Sequence, residues 1–229
     1  MDSFFFLFNL TIPTCKSLVN LLLFFQEKGE ITMHTSSPAC LIMASGMAKR
    51  YGSNKLLADF HGRTLFEHAC RISGYAKPCE TLAVTRHSQI AEICKQEQIP
   101  VLLHDLPNRN EAIRLGVSKL LTSGAPSGIL FLPADQPLIS EKSMQLLCEG
   151  FLSHPDKICR LSYDGTGASP MIFPPSFYDA LLTLPEGKGG GILAKKYPEQ
   201  VLLVPAQESY ELYDVDTPDD LTRLLQYLP

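Results

Sequence analysis

Three short segments of this 229-residue chain hold residue types that can handle a polyphosphate and a hard metal ion. The first is Ala44-Ser45-Gly46-Met47-Ala48-Lys49-Arg50-Tyr51-Gly52-Ser53-Asn54-Lys55. Small residues let backbone N–H groups approach an anion, and the cations that follow neutralise it. The segment lacks G-x-G-x-x-G and G-K-[ST], so it is neither a dinucleotide fingerprint nor a Walker A loop. A flexible basic turn would have the same composition. The second segment, Leu132-Pro133-Ala134-Asp135-Gln136-Pro137-Leu138, sets a carboxylate just after an apolar run. The third is Asp214-Val215-Asp216-Thr217-Pro218-Asp219-Asp220-Leu221. Mg²⁺ is typically held by one or two carboxylates together with substrate phosphates, and Asp135 and Asp216 facing the first segment would supply that set. Each also has a purely structural reading. Asp135 could cap its turn, and Asp216 or Thr217 could cap a last helix that has Pro218 at its first position.

Such residues work only if secondary structure brings them together. From Ala39 onward, apolar runs of strand length alternate with helical patterns. Strands are predicted at Cys40–Met43, Thr81–Val84, Pro100–Leu103 and Gly128–Leu132. Helices are predicted at Thr64–Tyr75, Ser88–Gln96, Glu111–Leu121 and Ser140–Phe151, the last with Ser140 as its cap. Continuously apolar strands between helices indicate a mostly parallel sheet covered on both faces. The first two segments then lie at carboxyl ends of strands, where open α/β sheets bind ligands. Residues 160–191 break the pattern with short strands, prolines and a glycine run, and a final helix is expected from about Thr217-Pro218 to Leu225. No repeat occurs, and no linker is long enough to divide the chain.

Composition excludes several function classes. Hydrophobic residues make up 45% and charged residues 19% of the chain, which allows a full core and excludes wholesale disorder. With 20 Lys+Arg against 24 Asp+Glu the formal charge is -4, so a nucleic-acid polymer is not the expected partner. The seven cysteines are scattered without C-x-x-C pairs, which fits buried reduced thiols in a cytoplasmic protein rather than a disulfide framework or zinc site. The six histidines lack H-x-x-x-H and H-x-H spacing, which leaves a carboxylate-held hard cation as the expected metal.

Residues 1–32 differ from the rest and are read as an N-terminal extension to a 33–229 domain. They are rich in Phe and Leu, yet Met1-Asp2-Ser3 has no basic side chain of the kind a signal peptide needs. Asn9, Pro13, Lys16 and Asn20 interrupt what would otherwise be a membrane span. Lys28-Gly29-Glu30 can be encoded by a purine-rich ribosome-binding sequence, so the expected true start is Met33. A membrane anchor and a packed N-terminal element are the alternatives.

Taken together, the segments resemble a known family. L-I-M-A-S-G-M-A-K-R-Y-G-S-N-K-L-L resembles the L-x-A-[AG]-G-x-x-x-R-x-G-x-x-K signature of the MobA-like NTP transferases, which include molybdenum cofactor guanylyl- and cytidylyltransferases. Pro-Ala-Asp-Gln-Pro-Leu is similar to the family's D-x-P metal motif, and D-V-D-T-P-D-D-L to the D-I-D-T-P-E-D-L ending of the cytidylyl branch. The resemblance covers about residues 39–225, with the motifs in order. It implies a single Rossmann-like nucleotidyltransferase domain that moves CMP from CTP to a phosphorylated acceptor, a molybdopterin cofactor, and releases pyrophosphate. It implies nucleotide contacts from the backbone of Ala44, Ser45 and Gly46, triphosphate contacts from Arg50 and Lys55, Mg²⁺ on Asp135 and Asp216, and base or ribose placement by Asn110. A molybdenum hydroxylase is the implied partner protein.

The chain departs from the family pattern at three points. Ser45 replaces Ala or Gly, Ala112 stands where Ser is common, and the G-D-[KR]-G-A-R run appears as Glu186-Gly187-Lys188-Gly189-Gly190-Gly191. Two other readings share the motifs. One is cytidylyl transfer to a sugar or polyol phosphate, because residues 109–113 also resemble isoprenoid-pathway cytidylyltransferases. The other is a non-catalytic protein that binds the pterin cofactor and delivers it to a hydroxylase.

Overall fold

A strand that is apolar at every position needs cover on both faces, and the Cys40–Met43 run has it. The computed structural model describes residues 22–25, 31–34, 37–47 and 50–228. In chain order its elements are β1 (Leu22–Phe25), β2 (Ile31–His34), β3 (Ala39–Ala44), β4 (Asp59–Phe60), β5 (Arg63–Thr64), α1 (Leu65–Tyr75), β6 (Thr81–Thr85), α2 (Ser88–Gln96), β7 (Val101–Leu103), α3 (Arg109–Ser123), β8 (Ile129–Pro133), α4 (Glu141–Ser153), β9 (Ile158–Tyr163), β10 (Thr166–Phe173), α5 (Tyr178–Leu182), α6 (Gly191–Lys196), β11 (Val201–Pro205) and α7 (Pro218–Leu224). The expected extension 1–32 lies outside the described residues except for β1 and the start of β2, which pair antiparallel.

Seven strands form one sheet in the order β11-β9-β10-β8-β3-β6-β7. Successive residues of β3 serve opposite layers. Cys40, Ile42 and Ala44 meet Phe66 and Ile72 of α1, Ile90 of α2 and Leu147 of α4. Ala39 and Leu41 meet Ile113 and Val117 of α3, Leu181 of α5 and Leu193 of α6. This is the expected Rossmann-like α/β architecture, with a mostly parallel sheet between two helical layers. α3 comes unusually close to the sheet at Gly116, where a Cβ would lie 2.6 Å from a Leu41 methyl. Among the described residues no helix is long and apolar enough to cross a membrane.

Capping chemistry sets most helix boundaries. Thr64 Oγ1 accepts from the Glu67 amide and Ser140 Oγ from the Ser143 amide, so both helices begin one residue after the expected position. α3 begins at Arg109, two residues earlier than expected, because the Glu111 carboxylate reaches back to the Asn108 amide at 3.1 Å. Asn110 is thereby drawn into the helix's first turn.

The largest difference from the expected pattern lies after residue 157. β9 and β10 are full strands joined by the two-residue turn Asp164-Gly165, whose φ angles are 47° and 73°. A turn with both central residues at positive φ matches the twist of a hairpin, and Asp-Gly is a favoured pair for it. The hairpin makes β10 antiparallel to both β8 and β9, while β11 adds parallel to β9.

Candidate active site

The carboxyl ends of β3, β6, β7 and β8 all point to one edge of the sheet, and the loops that follow them border two adjoining cavities. The larger is about 580 Å³ and is lined by Gly46, Arg50, Lys55, Asp135 and Asp216 among others. The smaller, about 140 Å³, lies over the β3, β6 and β7 end and is lined by Ser45, Arg86, His104 and Asn108. Met43, Gly46, Met47 and Arg109 line both.

Lys55 is the hub of the larger cavity. It opens a one-turn 3₁₀ helix, Lys55–Leu57, whose Leu56 is only 4% exposed and anchors the turn in the core. The Asn54 side chain accepts from the Leu56 amide. Lys55 Nζ donates to Asp135 Oδ2 at 2.7 Å and to Asp216 Oδ1 at 3.0 Å. Burial pulls the lysine pKa down, but the Asp135 charge and hydrogen bond, then Asp216, outweigh it and hold the ammonium above its ordinary value. Arg50 completes the cluster from the solvent side, with Nη2 at 2.6 Å from Asp216 Oδ2.

Thr217 caps α7: its Oγ1 accepts from the Asp220 amide, and Asp220 reaches back to the Thr217 amide at 2.9 Å. The Asp216 carboxylate takes no part in this cap and turns to Lys55 and Arg50. Asp135 likewise spends its carboxylate on Lys55. The two segments meet because the Val215 amide donates to the Asp135 carbonyl at 2.9 Å, and because Val215 is fully buried against Phe60, Leu65, Leu138 and Leu224.

Other expected site residues are placed differently. Gly46 faces open space, with nothing within 4 Å of where a Cβ would stand. Ala44 is fully buried at the end of β3, and its carbonyl accepts from Thr85 Oγ1. Asn110 lines neither cavity. Its side chain donates to the Leu184 carbonyl and accepts from the Gly187 amide at 2.9 Å, tying α3 to the glycine run. Arg109, beside it, is the residue that reaches both cavities.

The Ser45 hydroxyl, expected to meet a base or ribose, is bonded within the protein instead. It donates to the Val84 carbonyl at 3.0 Å and sits 2.8 Å from His104 Nε2. The Leu106 amide donates to His104 Nδ1, so the neutral ring carries its proton on Nε2 and gives it to Ser45. Arg86 grips the Leu106 carbonyl from the other side. What Ser45 still offers a ligand is an acceptor lone pair.

Burial first, then the nearby Arg86, lowers the His104 pKa, while Asp105 and Glu111 oppose the shift and His87 adds to it. Protonation would turn Nδ1 into a donor aimed at the Leu106 N–H. Because the folded pKa lies below the ordinary value of about 6.5, this contribution to stability is complete above that pH and is lost as pH falls through the lower folded value. The thermal midpoint is therefore expected to fall from pH 7 to pH 5, and to fall less in His104→Gln. An equal fall in the variant would remove His104 from the account.

Sequence reasoning missed four residues near this site: Arg109, Arg160, His104 and Asp214. Asp214 has surface open to solvent, yet burial among protein atoms and then the Asp135 charge push its carboxyl up to about 6. Arg160 had a readable signal, a lone cation within the apolar run Ile158-Cys159-Arg160-Leu161. Lining the larger cavity are four cations, Arg50, Lys55, Arg109 and Arg160, against two carboxylates. The cavity thus favours a polyanionic ligand.

An open α/β sheet with a cation-rich cleft at its switch point, edged by two aspartates, is built to take a polyanionic ligand. Residues 40–201 match the family model for the MobA-like NTP transferase domain, and the chain belongs to that family. A probable molybdenum cofactor guanylyltransferase of Bacillus cereus is 28% identical over 113 residues, covering 48% of this chain and 55% of that protein. The chain thus spans about half the length of the curated relatives it matches. Two solved structures share the fold at 20% identity. Rv0371c of Mycobacterium tuberculosis has a TM-score of 0.72 over 84% of this chain and 100% of its own. A nucleotidyl transferase of Methanothermobacter thermautotroptrophicus has a TM-score of 0.69 over 82% and 95%. Rv0371c has also been solved as a manganese complex, which matches with a TM-score of 0.65 at 17% identity over 83% of this chain and 98% of its own.

Proposed function

We propose that this protein transfers CMP from CTP to a phosphorylated acceptor, a molybdopterin cofactor, and releases pyrophosphate. The observation that carries the reading is the meeting of Lys55 with Asp135 and Asp216, at 2.7 and 3.0 Å, inside a cavity with excess positive charge.

Among the described residues no three His, Cys, Asp or Glu side chains converge into a protein-only metal cage. Two carboxylates beside a phosphate-binding cleft suit Mg²⁺, which takes its remaining ligands from phosphates and water. Asp135 and Asp216 would hold the ion. Once bound, it would neutralise phosphate charge as it develops.

The chain's own residues supply the rest. The nucleoside takes the smaller cavity, with Gly46 at the rim between the two. Arg50 and Lys55 hold triphosphate oxygens. An oxygen of the acceptor phosphate attacks the α-phosphorus from the larger cavity. A phosphorus–oxygen bond to the acceptor forms as the bond to the β-phosphate breaks, and pyrophosphate leaves with that electron pair. The acceptor is already an anion, so no general base is required, and positioning and charge neutralisation carry the catalysis.

The choice of CTP rests on Ser45 and Asp216. The Bacillus relative is named a guanylyltransferase. In this chain, the serine side chain, fixed by Val84 and His104, occupies volume that a glycine would leave open, and it offers an acceptor to a base amino group. The D-V-D-T-P ending with aspartate at 216 also matches the cytidylyl branch. A modest size change and one hydroxyl are worth about 1–3 kcal/mol, so kcat/KM is expected to favour CTP over GTP by about 10–200-fold. Ser45→Gly narrows the ratio. A clear GTP preference in the wild type overturns the choice. An unchanged ratio in the variant keeps CTP but removes Ser45 as its cause.

A further inference from the structure

The larger cavity is unevenly charged. Its two carboxylates are already engaged, by Lys55 and Arg50. Its other two cations have no such partner, since no carboxylate pairs with Arg109 or Arg160 among the described residues. Arg160 arises from the middle of β9. That strand is two places from β8, so its line runs roughly 10 Å from the Asp135 strand. Arg109 reaches in from the first turn of α3.

Both arginines lie where the chain has kept side chains out of their way. At Gly167 on β10 a Cβ would stand 2.7 Å from Arg160 Nε and 2.8 Å from its Cδ. With no side chain there, the arginine lies across the strand and its Nε donates to the Ala168 carbonyl at 3.2 Å. At Gly189 a Cβ would stand 3.0 Å from Arg109 Cδ. The run Gly189-Gly190-Gly191 also leaves that wall of the cavity bare of side chains. Burial lowers the Arg160 pKa, as it must for a cation with no counter-charge beside it. A guanidinium held in this way recovers its lost hydration when a bound anion accepts from its fork, and phosphate oxygens match that geometry.

We propose that Arg160, assisted by Arg109, seats the phosphate monoester of the acceptor and so decides which phosphorylated molecules are accepted. This rests on the nucleotidyltransfer reading above. The triphosphate takes the Lys55 end of the cavity, and Arg160 binds the acceptor oxygens that do not attack.

The test is calorimetric binding of phenyl phosphate to the full chain, with and without saturating Mg²⁺ and α,β-methylene-CTP to fill the triphosphate end. The wild type is expected to bind it in both conditions. Arg160→Met weakens phenyl phosphate at least tenfold and changes affinity for the nucleotide analogue by less than twofold. Equal phenyl phosphate affinity in wild type and variant overturns the proposal, and so does a wild type that binds none. A parallel loss of analogue affinity also counts against it, because Arg160 would then act on the whole cavity. Should the methionine variant not fold, Arg160→Lys, which keeps the charge but loses the fork, is expected to weaken binding threefold or more, and unchanged affinity overturns the proposal. If phenyl phosphate binding depends on Arg160 but the analogue does not bind and no nucleotide releases pyrophosphate, the anion seat stands and the nucleotidyltransfer reading fails.

Discussion

Asp135→Asn is expected to lower kcat about a thousandfold while the protein keeps its fold. The carboxylate lies just past β8 and points at the Lys55 ammonium rather than capping its own turn. Its carbonyl, which the substitution leaves untouched, still accepts from Val215, so the two acidic segments stay joined. Losing one charged ligand of a catalytic metal removes several kcal/mol of transition-state stabilisation, and each 1.36 kcal/mol is a tenfold change in rate. Turnover measured against Mg²⁺ concentration, together with a melting curve, checks the prediction. A kcat near the wild-type value would mean that Asp135 holds no metal. Asp216→Ala is expected to behave similarly, because Thr217 and Asp220 retain the α7 cap without it. If it lowered only the melting temperature, Asp216 would be a structural residue after all.

Lys55→Ala is expected to lower kcat by about 10²–10³-fold while the KM for the nucleotide changes far less. A buried ammonium aimed at a phosphoryl group acts most strongly where negative charge grows, and that charge is largest in the transition state. The neighbouring aspartates keep this lysine charged across the physiological range, so it needs no proton from solvent to act. Steady-state kinetics on the variant separate the two effects. A raised KM with unchanged kcat would make Lys55 a ground-state binder. Some loss of thermal stability is also expected, because Asp135 and Asp216 lose the charge they share. A double variant, Lys55→Ala with Asp135→Asn, should recover part of it.

Local chemistry alone made most of the fold from β3 to α4 readable. β3 and β8 are apolar along their length and β6 is apolar between Thr81 and Thr85, as strands covered by helices on both faces must be, and that pattern depends on no distant residue. Ser140 and Thr217 mark helix starts because a short hydroxyl or carboxylate satisfies amides only a few residues away. The part from β9 onward was harder to read. β10 runs Thr, Gly, Ala, Ser, Pro before Met171-Ile172-Phe173 and holds a register shift between Gly167 and Met171, so it shows no period of two and its apolar run is confined to the last three residues. The Asp164-Gly165 turn was the available hairpin signal there.

The sequence by itself determined the residue types that could act, their order, and the strand ends that carry Ala44 and Asp135. Asp135 and Asp216 could be named because magnesium chemistry admits few side chains, and Lys55 because the loop that carries it resembles a family signature. Their convergence was a tertiary outcome, since 161 positions separate Lys55 from Asp216. It depends on one backbone bond from Val215 and on the burial of that valine. The tertiary structure also decided what pattern could not rank. Asn110 was turned to brace the glycine run because capping started α3 early. Ser45 was committed to Val84 and His104 because β6 and β7 bring those partners beside it. Arg160 entered the cavity because a hairpin laid Gly167 across its path. Short-range hydrogen bonding and periodicity are written in neighbouring residues. Which distant side chains share a cavity follows from how the layers pack, and many local patterns are compatible with each such choice.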